Sequence, residues 1–440
     1  MAGRGLILAA PASGSGKTLI AAALLRYLRR RGVRVAAAKA GPDYIDPTFH
    51  AAASGTPCIN LDPWAMRPAT LAGLVAELEA RADLVLCEGV MGLFDGTGPD
   101  GEAGSTAELA RLTGWPVVLV VDARRQGASA AALIGGFARH DPQLLLAGMI
   151  FNRVAGPRHR ELLETALARH VPGVSCLGAI PNDPSLAFAE RHLGLVPAGE
   201  SAEAETVTEH AAAVVARSID IEALLTLPGP SNFGDAAPVT PLPPLGQRIA
   251  IARDDAFVFA YPAVLDGWRR AGAELSFFSP LADEPPDPNA DAVYLPGGYP
   301  ELHAGRLAVA ARCISGLHRA ASAGSAIYGE CGGYMVLGEA LTDAEGQAHR
   351  MAGLLPLATS FAERRLHLGY RSLMLLQDGP LGLRDTRFRG HEFHYATTLS
   401  AAGEALFWAA DSCGVDLGHI GLRRGSVAGS FIHLIDGEDD

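Results

Sequence analysis

Gly5-Leu-Ile-Leu-Ala-Ala-Pro-Ala-Ser-Gly-Ser-Gly-Lys-Thr18 is the stretch that decides the fold of this 440-residue chain. An apolar run leads into a glycine-rich loop ending in Gly16-Lys17-Thr18, and an Ala/Leu-rich segment follows. That order reads as strand, phosphate loop and helix. In such a loop the backbone N–H groups around Gly14 and Gly16 wrap phosphates. Lys17 reaches the terminal ones, and the Thr18 hydroxyl can ligate Mg²⁺. Pro11 stands where the usual pattern has its first glycine. Arg4 and the apolar residues after it superficially resemble a signal peptide, but the run is too short and feeds directly into the loop. It reads as a buried first strand.

Outward from this loop, apolar runs alternate with helical patterns. Strands are expected near 5–10, 33–38, 83–87, 117–121, 145–151 and 175–179, with helices near 17–31, 70–81, 104–113, 128–139 and 158–170. Continuous apolar strands separated by helices predict a mostly parallel sheet covered on both faces. Ligands then gather at the carboxyl ends of its strands.

The pattern stops at Pro228–Gly246, which holds six prolines and has no periodicity. We expect an extended, semi-rigid linker there, between domains at 1–227 and 247–440. Strands at 248–252 and 292–296 and helices at 261–271 and 307–322 then announce a second α/β domain. Within it, Ser325-Ala-Ile-Tyr-Gly-Glu-Cys-Gly-Gly-Tyr-Met-Val-Leu337 reads as a strand, a tight turn and a helix. Cys331 on that elbow is the candidate nucleophile. Helical N–H groups aimed at its sulfur would favour thiolate over thiol, and Gly329, Gly332 and Gly333 leave room for a close approach.

Composition sets the class. Hydrophobic residues make up 49% and charged ones 19%, as in a soluble α/β protein. A net charge of −12 argues against non-specific nucleic-acid binding. The six cysteines form no Cys-x-x-Cys pair, which argues for reduced thiols in a cytoplasm and against a disulfide framework or zinc site. His391-Glu-Phe-His394 lacks the i, i+4 spacing of a helical zinc motif. No run approaches a membrane span.

Three more segments put acids or a lysine at strand ends: Lys39-Ala-Gly-Pro-Asp-Tyr-Ile-Asp-Pro47, Cys87-Glu-Gly-Val-Met-Gly-Leu-Phe-Asp-Gly96 and Val121-Asp-Ala-Arg124. Glu88 and either Asp43 or Asp46 are placed to join Thr18 around Mg²⁺, which takes few protein oxygens besides phosphates and water. Asp46 is our choice.

The strings 41–47, Asn60-Leu-Asp-Pro-Trp64, 88–96, Glu190-Arg-His-Leu-Gly-Leu195, Gly329–Gly333 and Gly390-His-Glu-Phe-His-Tyr395 resemble the corrinoid a,c-diamide synthases of cobalamin biosynthesis, over essentially the whole length. The N-terminal half is similar, more distantly, to dethiobiotin synthetase. The C-terminal half is similar to class I glutamine amidotransferases. The resemblance implies ATP- and glutamine-dependent amidation of the a and c acetates of a corrin-ring polycarboxylate, with Mg²⁺, and leaves a homodimer open. The short length and Asn60–Met66 lean toward the cobalt-free ring, hydrogenobyrinic acid. Cobyrinic acid or another cyclic tetrapyrrole is the alternative.

In that reading Asn152 reads adenine, and Lys39, Asp43, Tyr44 and Asp95 are substrate-side candidates. His433, on an apolar strand at 429–434, is the base for Cys331. The N–H groups of Gly298 and Gly332 form the oxyanion site. Class I enzymes commonly carry glutamate two residues after this histidine, but position 435 is Ile. Asp436, Glu392 or a backbone carbonyl is left to orient His433. Two arginine clusters, Arg364-Arg365 with His367 and Arg371, and Arg384 with Arg387 and Arg389, are candidates for the ring carboxylates. A different class, a partner-binding ATPase switch of the chromosome-partitioning type, would share the phosphate loop but has no use for Cys331.

Overall fold

The computed structural model describes residues 3–188, 190–191, 194–195 and 203–438. His192 and Leu193 of the 190–195 string lie outside the described residues. The chain divides into two compact units, Met1–Trp64 with Pro68–Val239 and Ala65–Arg67 with Thr240–Asp440.

The first unit is built on a seven-stranded parallel sheet. Its strands are β1 (Arg4–Ala9), β2 (Val35–Ala40), β3 (Ile59–Leu61), β4 (Leu84–Glu88), β5 (Val117–Asp122), β6 (Leu146–Val154) and β7 (Ser175–Pro181), ordered β3-β2-β4-β1-β5-β6-β7. Leu6, Ile7 and Leu8 of β1 and Val117–Val120 of β5 are fully buried, as continuous apolar runs in a doubly covered sheet must be. Helices α1 (Lys17–Arg30), α2 (Asp46–Ser54), α3 (Pro68–Arg81), α4 (Thr106–Thr113), α5 (Ser129–His140) and α6 (Pro157–His170) connect the strands, and α7 (Ala204–Ser218) packs on α1. The helix expected at 104–113 begins at Thr106, because Ser105 caps it by accepting from the Glu108 N–H at 3.1 Å. The chain order around β1, with β4 on one side and β5 on the other, opens a crevice at the strand ends. The phosphate loop lies there.

The second unit carries a six-stranded sheet, β9-β8-β10-β11-β17-β16. Its strands are β8 (Arg248–Ala252), β9 (Glu274–Phe278), β10 (Ala292–Leu295), β11 (Ala326–Glu330), β16 (Leu422–Arg424) and β17 (Val427–Ser430), and all but the edge strand β16 are parallel. Helix α8 is Pro262–Arg270, and α9 is Ala311–Ser322. The helix expected over 307–322 is broken, because Ala310 takes a non-helical ψ of 68°. Helix α10 (Gly332–Leu337) follows β11. An antiparallel sheet, β15-β14-β12-β13-β18, holds β12 (His367–Leu375), β13 (Arg387–His394), β14 (Phe407–Asp411), β15 (Asp416–Ile420) and β18 (Ile432–Gly437). The single strand expected at 429–434 is therefore two strands in two sheets. β17 pairs parallel with β11, and β18 pairs antiparallel with β13. The Ser430 hydroxyl accepts from the Ile432 N–H at 3.2 Å across the break.

The 228–246 stretch contains no regular element and is anchored along its length. Gly229 and Gly5 exchange backbone bonds of 2.8 and 3.1 Å, and the Ser231 hydroxyl donates to Glu79 at 2.8 Å. In the second unit the Trp268 indole donates to Pro243 O at 3.1 Å.

Candidate functional site

At the carboxyl edge of the first sheet, the loop after β1 turns on Gly14 and Gly16, at φ 76° and 91°. A side chain at Gly16 would be both strained and blocked, since its Cβ would stand 2.4 Å from Asn152 Nδ2. Asn152 braces this loop: Nδ2 donates to Ser15 O at 2.8 Å, and Oδ1 accepts from the Arg153 N–H at 2.9 Å. Its amide is thus engaged with the loop, leaving one N–H hydrogen for a base. Arg153 adds a second brace, donating to Gly14 O and Asp122, each at 2.7 Å.

Below the loop the charges interlock. The Thr18 hydroxyl donates to Glu88 Oε1 at 2.8 Å, and His50 Nε2 lies 2.6 Å from Glu88 Oε2. Lys39 Nζ sits 2.7 Å from Asp46 and 3.2 Å from Glu88. Burial works against the Lys39 charge, but Asp46, Glu88 and Asp43 outweigh it and hold the ammonium above its ordinary range. Burial likewise opposes Glu88, and Lys39, His50 and Lys17 hold it ionised. Asp43, buried beside Asp46, is pushed up to about 8. Burial lowers Lys17, whose Nζ donates to Met91 O at 2.6 Å.

A hard cation suits this donor set. The Thr18 hydroxyl and Glu88 carboxylate are adjacent oxygens of the kind Mg²⁺ takes. Asp46, expected as a third ligand, is placed on Lys39 instead, because the buried ammonium needs a counter-charge. His50 was not legible as a site residue, since it lies three residues beyond the 41–47 string.

A cavity of about 510 Å³ opens over these groups, lined by Gly14, Lys17, Thr18, Lys39, Asp43, Asp46, Glu88 and Asn152, with an apolar end at Ile180, Phe188 and Val214. Tyr44 and Asp95 are not among its walls. Asp95 is exposed and accepts from the Gly92 N–H at 2.9 Å, closing its own turn.

In the second unit, Cys331 sits between β11 and α10 with φ 47° and ψ −101°. A non-glycine residue there is strained by about 1–3 kcal/mol. The strain is held by the Cys331 N–H bond to Ser430 O at 2.8 Å. The expectation of a thiolate favoured by helix dipoles does not hold in this state. Cys331 is buried, and burial followed by the Glu301 charge drives the thiol well above its ordinary range, against the Gly332 N–H. Its thiol faces Phe393 O at 3.8 Å.

His433 is brought to the same place. A Cβ on Gly297 would fall 2.3 Å from His433 Cε1, 3.2 Å from its Nε2 and 3.3 Å from Cys331 Cβ, so imidazole and cysteine face one point. Burial, then the His391 and His394 charges, lower His433 to about 3, so it is neutral and able to accept a proton. A Cβ on Gly332 would stand 3.0 Å from Gly298 N, so the two residues expected to supply the oxyanion amides are neighbours.

The acids expected to orient His433 lie elsewhere. Asp436 accepts from the Arg67 N–H and guanidinium at 2.8 Å each, and Glu392 is held by Arg371 at 2.6 Å and His394 at 3.1 Å. Glu392 still acts on His433 through its charge, and Glu330 places Oε2 3.9 Å from His433 Nδ1. Of the arginine clusters, Arg371 and Arg389 are engaged with Glu392 and Glu438. All six cysteines are free thiols, and among the described residues no helix is long and apolar enough to cross a membrane.

Comparisons with known proteins agree with this geometry. Residues 6–195 match the CobQ/CobB/MinD/ParA nucleotide binding domain, and residues 248–440 match the CobB/CobQ-like glutamine amidotransferase domain. The chain is 54% identical to a hydrogenobyrinate a,c-diamide synthase of Brucella anthropi, over 98% of each chain. It is 53% identical to the proteins of that name from Rhizobium meliloti, over 98% of this chain and 99% of that one, and Rhodobacter capsulatus, over 99% of each. With its nucleotide-binding and amidotransferase halves both matched and its full length shared, the chain belongs to the hydrogenobyrinate a,c-diamide synthase family.

Proposed function

We propose that this protein is a glutamine-hydrolysing ligase that amidates the a and c acetate carboxylates of hydrogenobyrinic acid at the expense of ATP. The carrying observation is the presence of a phosphate-loop cavity and a Cys331–His433 elbow in one chain. The ring substrate follows from the name its relatives carry over their full length.

A carboxylate resists ammonia because it is anionic and its oxygen leaves poorly. In this reading the acetate oxygen attacks the γ-phosphorus of ATP, the bond to ADP breaks, and an acyl phosphate forms. Lys17 and the N–H groups of the Gly14–Gly16 loop meet the charge on the transferring group. Mg²⁺ held at Thr18 and Glu88 would supply further charge neutralisation, and Asp46 and Glu88 keep the buried Lys39 charged. Tyr44 and Asp95 lie on the strings beside this rim. Ammonia then attacks the acyl carbon, and phosphate leaves.

Nitrogen comes from the second unit. Cys331 Sγ attacks the glutamine side-chain carbonyl while His433 takes the thiol proton, and the oxyanion rests on the Gly298 and Gly332 amides. His433 returns the proton to the departing ammonia, and water cleaves the thioester to glutamate. Free thiols and ATP use fit a cytoplasmic enzyme.

The test is turnover of purified protein with ATP, Mg²⁺, glutamine and either hydrogenobyrinic or cobyrinic acid, read by mass spectrometry. Diamide from the cobalt-free ring in preference to the cobalt ring is expected. Preferred turnover of cobyrinic acid would reverse the substrate assignment, and no diamide from either ring would overturn the reading.

A further inference from the structure

The histidine of the Cys331 site lacks the acid that sequence position would give it, because Ile435 occupies the place two residues on and is buried in the core. We infer that Glu330, the residue directly before the nucleophile, is the acid that positions His433, supplied from the neighbouring sheet rather than from the histidine's own strand. This assignment rests on the glutaminase reading above and adds a residue to it.

Four observations carry it. Glu330 ends β11 and is buried at 2% exposure. Its Oε2 lies 3.9 Å from His433 Nδ1, while Nε2 and Cε1 of the same ring face the point shared with Cys331. The carboxylate is fixed by two donors: the Tyr294 hydroxyl on Oε2 at 2.7 Å and the Leu434 N–H on Oε1 at 3.1 Å. The second of these is the amide next to His433, so carboxylate and imidazole are held to the same point of β18. Finally, Asp436 and Glu392 are bound to Arg67 and Arg371.

The chemistry follows from that placement. When His433 accepts the thiol proton it becomes an imidazolium between the thiolate and Glu330. Burial pushes Glu330 up to about 8, and the imidazolium forming beside it favours the ionised form, so that a carboxylate on the Nδ1 side stabilises the new charge and fixes which nitrogen faces sulfur. Catalytic hydrogen bonds are often long before substrate binds.

The experiment uses the full chain and compares glutamine-dependent with ammonia-dependent amidation in the same preparation, the second serving as the reference rate. Glu330→Gln keeps shape and removes charge. It is expected to lower glutamine-dependent kcat by about 10²-fold or more, with the glutamine KM within about threefold. Glu330→Asp keeps the charge but withdraws it by one methylene, and is expected to lie between Gln and the parent. The inference is overturned if Glu330→Gln retains parental glutamine kcat, or if ammonia-dependent amidation falls as far as glutamine-dependent amidation in both variants, as general damage would make it. Should Glu330→Gln fail to fold, the Asp variant decides alone, and parental kcat in it overturns the inference. Cys331→Ala, run alongside, separates the two claims. If it still hydrolyses glutamine, the underlying glutaminase reading fails; if it is inactive while Glu330→Gln is not, only the role of Glu330 fails.

Discussion

At Gly297 a single hydrogen in place of a side chain lets His433 and Cys331 meet. A Cβ there would stand 2.3 Å from the imidazole, closer than carbon atoms ever approach, so Gly297→Ala must push the ring off the sulfur. Misplacing a base by about 1 Å costs on the order of 10²-fold. We therefore expect Gly297→Ala to lose about that much glutamine-dependent activity while ammonia-dependent amidation continues, as measured by initial rates with each nitrogen source. Sequence reading named Gly298 as an amide donor and passed over Gly297, because amide donors leave a signature and clearance does not. His50 and Glu330 were missed for a related reason. Each acts through a partner from a distant strand or helix, and no spacing in the chain announces that pairing.

Among the elements, β13 and β18 matter most, since they place His391 opposite His433. Both histidines are kept neutral: His433 is lowered to about 3, chiefly by burial, and His391 to about 4 by burial and Arg371. Their unfolded values lie near 6.5. Below that pH the unfolded chain binds more protons than the folded one. The contribution of these histidines is therefore complete above about pH 6.5 and declines as pH falls toward the folded values. We expect His433→Asn, measured by urea unfolding, to lose less stability than the parent between pH 7 and pH 5, the difference being about 2 kcal/mol. Equal losses would mean that His433 already takes up a proton in the folded protein. Six of the seven parallel strands of the first unit were legible to within a few residues, because runs such as β1, β4 and β5 are unbroken and apolar, whereas β3, only three residues long, was not. Helix α2 was not, because Asp46-Pro47 reads as a turn until Pro47 is placed in the first helical turn, where its missing N–H costs nothing. The break between β17 and β18 was illegible for a different reason. Both halves are apolar, and periodicity carries no mark of which sheet a strand joins.

For the molecule as a whole, the division of labour is the central claim: the first unit activates a carboxylate with ATP and the second makes ammonia from glutamine. A net charge of −12 repels a polycarboxylate ring at long range, so its capture falls to local cations. Arg371 and Arg389 are held by Glu392 and Glu438, and Lys39 by Asp46 and Glu88, which leaves Lys17 and arginines outside those pairs. The measurement that tests the division most directly is nitrogen-source exchange in two variants, Cys331→Ala and Lys17→Ala, with hydrogenobyrinic acid, ATP and Mg²⁺. Cys331→Ala should lose amidation with glutamine and keep it with ammonium at alkaline pH, whereas Lys17→Ala should fall by about 10²–10³-fold with both sources. Loss of ammonium-dependent amidation in folded Cys331→Ala, or near-parental ammonium-dependent turnover in Lys17→Ala, would contradict the account.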